Sequence, residues 1–160
     1  MKKVLFASAL ALALSACASG ALTVETPNAS DYRTDTATIV HDNSRVEVDE
    51  NNLTYTEEKL AKELFEGEDA PFAKGDGLTI RYRYVGFDEG SRAARYLLGP
   101  FAGGSKIHLE VDFVSPEGEV LATVRGEGSV SGGFMGGSNK SGIDKAIKEV
   151  AEYAAKEFAQ

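Results

Sequence analysis

The residue types best suited to binding chemistry lie between residues 91 and 104, where two arginines are followed by several glycines. Guanidinium groups beside the backbone N–H groups of a glycine-rich turn can hold an anion such as phosphate or carboxylate. The other interpretation is a short helix that ends in a tight connection requiring glycine's backbone freedom. Because no Walker lysine or dinucleotide fingerprint accompanies the glycines, the sequence favours the connection. The possible ligand or partner contacts are Arg92, Arg95, Gly99, Gly103 and Gly104.

The chain's single cysteine, Cys17, stands where a lipid could be attached. It follows a positively charged start and an apolar run, Val4–Leu14, which is shorter than the ~20 residues of a membrane-spanning helix. Residues 14–17, Leu-Ser-Ala-Cys, resemble the bacterial lipobox, in which the cysteine thiol is acylated and becomes the first residue of the mature protein. The sequence therefore predicts a lipoprotein signal peptide over residues 1–16 and lipidation of Cys17. The alternative is an ordinary secreted protein in which Cys17 is incidental.

Lipidation predicts where the protein is located. Each buried methylene contributes about 0.8 kcal/mol, so two or three acyl chains would hold the protein on a membrane almost permanently. Ala18 follows the cysteine, in place of the acidic residue that resembles an inner-membrane retention signal. We therefore expect an outer-membrane protein that faces the periplasm, with the N-terminal lipid as its membrane contact.

The composition narrows the remaining function classes. A formal net charge of −8 argues against a nucleic-acid partner, which requires a basic surface. One cysteine cannot form an internal disulfide, and the two histidines, His41 and His108, do not suffice for a histidine-rich metal site. Neither histidine lies in a recognisable nucleophile motif, and no G-x-S-x-G occurs. We therefore expect no catalytic residues, no metal, no cofactor and no enzymatic activity.

The elements that would position these residues fall into a tether and one domain. Residues 17–35 are rich in Ser, Thr, Ala and Asn and lack apolar periodicity, which predicts a flexible tether. Residues 36–160 predict a single α+β domain: a two-layer sandwich of a small sheet packed by a short helix and a C-terminal amphipathic helix.

Alternation and helical spacing identify the main elements of this domain. Thr36–Val40 and Leu78–Phe87 are predicted strands, the latter with Arg81 and Arg83 opposite its apolar face. Apolar residues alternate from Ile107 to Phe113 and again from Val120 to Val124, and the intervening Ser-Pro-Glu-Gly turn predicts an antiparallel hairpin. A capping box at Thr54 and Glu57 predicts the start of the short helix, and Ser141 and Asp144 that of the last. The apolar stripe of the last helix contains Ile143, Ile147, Val150, Ala154 and Phe158.

Three glycines, Gly128, Gly132 and Gly136, recur at four-residue intervals. Such spacing resembles a small-xxx-small motif, which lets membrane helices approach closely and would support oligomerisation at the membrane. Serine and asparagine flank the glycines and a predicted strand leads into them, so the sequence favours a flexible, glycine-bulged loop.

Residues 75–160 resemble a bacterial lipoprotein family known as domain of unknown function 4410. The similarity is carried by the segment 90–104, the strand from Ile107 to Phe113, the Ser131–Gly137 glycine segment and the last helix. Pro100 departs from the pattern, since a glycine or small residue is expected there. The family has no established activity, so the resemblance implies a fold and no catalytic residues.

Two functions remain open from the sequence. The first is a binding or scaffold module of the cell envelope, tethered by lipid and contacting an envelope protein or peptidoglycan. The second is a small-ligand or anion binder, or an enzyme, that uses the glycine-rich segment with Arg92 and Arg95.

Overall fold

The structure, a computed structural model, describes residues 20–88, 105–130 and 139–160. Over these residues the chain forms a mixed, open sheet of six strands with two helices. In chain order the elements are β1 (Ala21–Thr26), β2 (Thr36–His41), α1 (Glu50–Phe65), β3 (Ala73–Lys74), β4 (Leu78–Asp88), β5 (Ser105–Val114), β6 (Val120–Val130) and α2 (Asn139–Phe158).

The strand order is β1-β6-β5-β4-β2-β3. The pairs β1–β6, β6–β5 and β5–β4 are antiparallel, whereas β4–β2 and β2–β3 are parallel. The predicted β5–β6 hairpin is confirmed, and its turn is closed by a hydrogen bond of 2.9 Å from the Gly118 N–H to the Ser115 carbonyl. Gly118 has a φ of 88°, a left-handed conformation that glycine adopts without steric cost.

One face of the sheet and both helices contribute to a single apolar core. The predicted alternation in β4 and β5 is confirmed, as is the apolar stripe of the last helix, because these residues are buried together. In β6 the prediction holds for Ala122 and Val124, but Val120 is 46% exposed and lies outside the core. Fully burying one large apolar side chain contributes about 1.5–3 kcal/mol, so this shared core accounts for much of the stability. Its largest members are Leu60, Leu64, Leu78, Ile80, Tyr82, Tyr84, Ile107, Leu109, Phe113, Ile143, Ile147 and Phe158.

Both helices begin before the residues that the sequence predicted. The Asp49 carboxylate caps α1 by accepting a hydrogen bond of 2.8 Å from the Asn51 N–H, so Thr54 and Glu57 lie inside the helix and do not cap it. A carboxylate at this position also interacts favourably with the helix dipole. The second helix begins at Asn139, two residues before Ser141. Within the described residues, no helix is both long enough and apolar enough to span a membrane.

The chain is already ordered within the segment for which the sequence predicted a flexible tether. β1 pairs with β6 from the Ala21–Glu127 pair onward. Tyr32 packs against the core, and its hydroxyl donates a hydrogen bond of 2.6 Å to the Gly77 carbonyl. From residue 20 onward the tether prediction is therefore corrected. Periodicity missed β1 because most of its residues are exposed at the sheet edge, and alternation appears only where one face is buried.

Glycines let α2 lie directly on the backbone of β6. A Cβ added to Gly126 would lie 2.8 Å from the Ala146 carbonyl oxygen, and one added to Gly128 would overlap the Gly142 carbonyl. Gly128 pairs with Ile107 within the ladder, so it belongs to a strand and not to the loop or membrane-helix motif considered from the sequence. Gly132 and Gly136 lie outside the described residues.

Candidate functional site

The face of the sheet opposite the core carries charged side chains whose signs alternate from strand to strand. Register places Arg125 of β6 opposite Glu110 of β5, and Glu110 opposite Arg83 of β4. Asp42, directly after β2, continues the row, since Arg83 Nη1 lies 3.2 Å from its Oδ2. Opposite charges directly across neighbouring strands stabilise each pairing. We call this ion-paired surface the polar face.

Glu110 is the centre of the polar face. Its side chain is only 5% exposed. Burying a carboxylate is unfavourable unless the charge is paired and hydrogen-bonded. Arg83 Nε donates to its Oε1 at 2.8 Å, Arg45 Nη2 lies 3.3 Å from the same oxygen, and Arg125 Nη2 donates to Oε2 at 3.2 Å. Three guanidinium groups from three parts of the chain therefore compensate one buried carboxylate.

A second carboxylate and a fourth strand extend the network. Asp112 accepts a hydrogen bond of 3.0 Å from Arg83 Nη1 and one of 2.8 Å from the Thr123 hydroxyl. Arg125 also binds Glu25 of β1 at 2.6 Å, while its Nε is buried without a hydrogen-bond partner among the described residues. Side-chain contacts on the polar face thus link β1, β6, β5, β4 and the segment after β2.

The electrostatics of these groups favour ion pairing over proton transfer. Burial opposes ionisation of Glu110, but hydrogen bonds from Arg83 and Arg125 hold its pKa below the ordinary value. A hydrogen bond from the Asn43 N–H lowers the pKa of Asp42. Burial acts against the charge on Arg83, but the carboxylates around it raise its pKa. Because all three pKa values move away from neutrality, these groups are poorly placed to exchange protons at pH 7.

A shallow cavity of about 330 Å³ opens on the polar face and is lined by Arg45, Val85, His108 and Arg125. His108 Nδ1 lies 3.5 Å from Glu127 Oε1. The alternation from Ile107 to Phe113 predicts that His108 faces away from the apolar side of β5, and its half-exposed side chain confirms this. Both arginines at this opening are already paired with Glu110, Arg45 at 3.3 Å and Arg125 at 3.2 Å, so their charge is largely compensated within the protein.

A larger cavity of about 520 Å³ lies between α1 and the β2 edge, with Glu57, Phe65 and Lys74 among its lining residues. The Lys74 Nζ is 5.9 Å from the centre of the Phe65 ring, close enough for a cation–π contact. No group of three or more metal-ligating side chains that could hold an ion occurs in residues 20–88, 105–130 and 139–160.

The site residues that the sequence predicted do not belong to the part of the chain that the structure describes. Arg92, Arg95, Gly99, Gly103, Gly104 and Cys17 all lie outside the described residues. Their roles in anion binding and lipidation stay predictions. His41 ends β2, one residue beyond the predicted strand Thr36–Val40, and its Nε2 lies 3.1 Å from the Ser44 hydroxyl.

Sequence reasoning placed Arg81, Arg83, Glu110 and Asp112 on the polar side of their strands but did not connect them. The available signal was opposite charge on strands that would become neighbours: arginines in β4, carboxylates in β5 and Arg125 in β6. Recognising the network required the β4–β5 register, which alternation within a single strand does not supply.

Comparisons with known proteins support the fold. Two solved structures of PelC from Paraburkholderia phytofirmans, both described as dodecamers, are similar to this chain. One, a single-residue variant, has a TM-score of 0.56 and 12% identity, and the other has a TM-score of 0.50 and 14% identity. Each alignment covers 88% of this chain and 99% of PelC. At this identity the similarity shows the fold alone.

No curated protein matches the chain significantly. A family model described as domain of unknown function (DUF4410) matches residues 29–133 and assigns no catalytic activity. The match begins before the region in which the sequence resemblance was strong, and it includes β2, α1 and the polar face except for Glu25 of β1. Because the family model matches well over half of the chain, the chain belongs to the DUF4410 family.

Proposed function

We propose that this protein is an outer-membrane lipoprotein, anchored through Cys17 and facing the periplasm, whose domain is a scaffold module of the cell envelope. In this proposal the domain assembles with further copies of itself, and the assembly contacts an envelope protein or peptidoglycan. The lipobox-like residues 14–17 support the anchor. The open edges of the sheet carry the proposal of assembly.

The first open edge is β1. Among the described residues β1 pairs only with β6, so its other side presents backbone N–H and C=O groups without strand partners. Many proteins prevent such an edge strand from pairing with another chain by placing lysine, proline or a β-bulge in it. β1 has neither lysine nor proline, and its register shifts only after Val24, so the stretch from Ala21 to Val24 pairs regularly. Val24 is 43% exposed. This edge is suited to adding a strand from another chain.

The second open edge lies at the other side of the sheet. β3 covers β2 only at Thr36 and Ala37, so the stretch from Thr38 to His41 lacks a described partner on that side. Val40 in this stretch is 43% exposed. Two different edges permit head-to-tail contacts, and such contacts close into a ring when the rotation between copies allows it. The dodecameric state of the structurally similar PelC is consistent with this mode of assembly.

A rigid module is what an assembling scaffold requires. In this proposal α1 and α2 form one layer against the sheet, which makes the domain a two-layer sandwich. Support comes from the core that both helices share with the strands and from the hydrogen bond of 2.8 Å that Tyr55 donates to Asp144, which links α1 to α2.

The test is the native mass of the full-length mature lipoprotein, purified in detergent and measured by sedimentation velocity. We expect an oligomer that dissociates when a charge is placed on either edge, in Val24→Lys or Val40→Lys. Val120→Lys is the matched control, because Val120 is 46% exposed but lies beyond the last β1–β6 pair. Its mass should equal that of the wild type.

Two outcomes would overturn the proposal. A wild-type protein that stays monomeric over the whole accessible concentration range would exclude self-assembly. An oligomer that persists in both edge variants would exclude the edges as its contacts. Cys17→Ser tests the anchor separately, since that variant should be lost from the membrane fraction.

A further inference from the structure

The position of β1 limits how far the folded domain can be from its anchor. The strand begins at Ala21, only four residues after Cys17. Gly20 is already packed against α2, since a Cβ added there would lie 2.5 Å from the Lys145 carbonyl oxygen. A fully extended chain spans about 3.6 Å per residue, so Cys17 and Gly20 are separated by at most about 11 Å. A domain on so short a connection has little freedom to leave the lipid surface.

Strand register identifies which end of the domain is nearest to Cys17. Ala21 of β1 pairs with Glu127 of β6, which in turn pairs with His108 of β5. Lys106, two residues before His108, pairs with Asp88 at the end of β4. The first turns of α2 lie beside these residues, since Lys145 Nζ donates a hydrogen bond of 2.9 Å to the Ser129 carbonyl. We call this the anchor end. The distal end contains the 115–119 turn, residues 27–35 and the connection 66–72.

The two ends differ in charge. The anchor end, which also includes the segment after β2, carries both signs in balance: Arg45, Lys106 and Lys140 are exposed, and so are Glu47, Asp49 and Glu50. At the distal end eight exposed carboxylates outnumber the four exposed basic residues Arg33, Lys62, Lys74 and Lys156. These carboxylates belong to Asp31, Asp35, Glu66, Glu68, Asp69, Asp76, Glu117 and Glu119.

This difference favours one orientation on an anionic membrane. A lysine near such a surface contributes roughly 1 kcal/mol of attraction, and carboxylates are repelled by the same field. The short connection and the charge distribution therefore act in the same direction: the anchor end is held near the headgroups and the distal end is kept away from them.

We infer that the domain rests on the bilayer with its anchor end against the lipid headgroups and its acidic distal end directed into the aqueous phase. The inference rests on the proposed lipidation of Cys17. Every copy then stands in the same orientation, with its β1 and β2 edges rising from the same plane. Edge-to-edge assembly in the membrane plane becomes a two-dimensional search among aligned molecules.

Energy transfer from single labels to the membrane surface tests this orientation. The native cysteine is consumed by the lipid, so one introduced cysteine provides a unique thiol. Lys140→Cys and Lys106→Cys report on the anchor end, and Glu117→Cys and Glu68→Cys on the distal end. The full-length mature lipoprotein is reconstituted in phosphatidylethanolamine–phosphatidylglycerol vesicles that contain a headgroup-labelled acceptor lipid.

The ten residues of β5 place the two ends about 33 Å apart, so we expect transfer from the anchor-end labels to exceed that from the distal labels by about threefold. A control insertion of about 12 Gly/Ser residues between Ser19 and Gly20, with a mean span of about 20 Å, should reduce this ratio toward one. Equal transfer from both ends of the uninserted protein, or stronger transfer from the distal end, would overturn the inference.

The anchor and the orientation fail in different ways. The proposed lipid anchor is wrong if the unlabelled wild type does not associate with the vesicles. It is also wrong if Cys17→Ser associates with them as well as the wild type does. If association requires Cys17 but the four labels transfer equally, the anchor stands and the orientation is wrong. Circular dichroism of each labelled variant checks that its fold is intact.

Discussion

The two faces of β6 stabilise the same strand by opposite physical means. On the core face, Gly126 and Gly128 provide no side chain, and α2 lies against the bare backbone. On the polar face, Thr123 and Arg125 provide hydrogen-bonding groups that reach across to β5. One face depends on the absence of atoms, and the other depends on the presence of charge. Mutations should therefore be costly for different reasons on the two faces.

The largest effect is expected on the core face, from Gly128→Ala. The new methyl would overlap the Gly142 carbonyl, which is backbone and cannot move without displacing α2. Overpacking of this kind costs about 3 kcal/mol, which urea unfolding of the full-length mature protein would measure as a lower free energy of unfolding. Gly67→Ala is the control, because Gly67 has a φ of 101° but no atom near its Cβ position. Backbone strain alone should cost about 1 kcal/mol there. Equal losses in the two variants would contradict the close-packing explanation.

The next effect is expected at the centre of the polar face, from Glu110→Gln. The substitution preserves the size of the side chain but leaves Arg83 and Arg125 without their shared carboxylate. Removing one partner of a buried, charge-assisted network should cost about 2 kcal/mol of unfolding free energy. Glu127→Gln is the matched control on the same face, since Glu127 is half-exposed and contacts only His108 at 3.5 Å among its ion-pair partners. We expect about 0.3 kcal/mol for that change.

The same carboxylate predicts a pH dependence. The pKa of Glu110 is lower in the folded protein than its ordinary value of 4.5, so the unfolded state takes up the proton first as the pH falls. Its contribution to stability is complete above that ordinary value and is lost as the pH falls through the folded pKa. Between about pH 6 and about pH 3, the wild type should therefore lose more unfolding free energy than Glu110→Gln. Parallel losses in the two proteins would show that Glu110 does not contribute to the acid sensitivity.

The comparison of faces also explains what the sequence could predict. The β5–β6 hairpin, the apolar side of β4 and the stripe of α2 were predictable because burial of one face imposes a period on a single segment. The polar face was only half predictable. The sides on which Arg83 and Glu110 lie follow from alternation, but their contact depends on a register between segments far apart in the chain.

Two other features lacked a local signal. β1 is an exposed edge strand, so nothing in residues 21–26 alternates strongly enough to distinguish a strand from a linker. The spacing of Gly128 with Gly132 suggested a helix or a loop, whereas the role of Gly128 comes from the backbone of α2 on the other side of its missing side chain. Both features depend on a partner that is distant in sequence.

The smallest expected effect tests whether the hydroxyl on the polar face of β6 matters beyond its volume. Thr123→Val keeps the shape of the side chain but removes the donor of the 2.8 Å hydrogen bond to Asp112, which retains Arg83 at 3.0 Å. Because one charge-assisted bond is lost and the carboxylate stays paired, the cost should be about 1 kcal/mol. Thr38→Val is the control, since its hydroxyl has no hydrogen-bond partner among the described residues, and there we expect no loss of unfolding free energy. If Thr123→Val does not change the free energy of unfolding, Arg83 alone satisfies Asp112. The polar face is then stabilised by its arginines, and the hydrogen bond from Thr123 of β6 to Asp112 adds nothing.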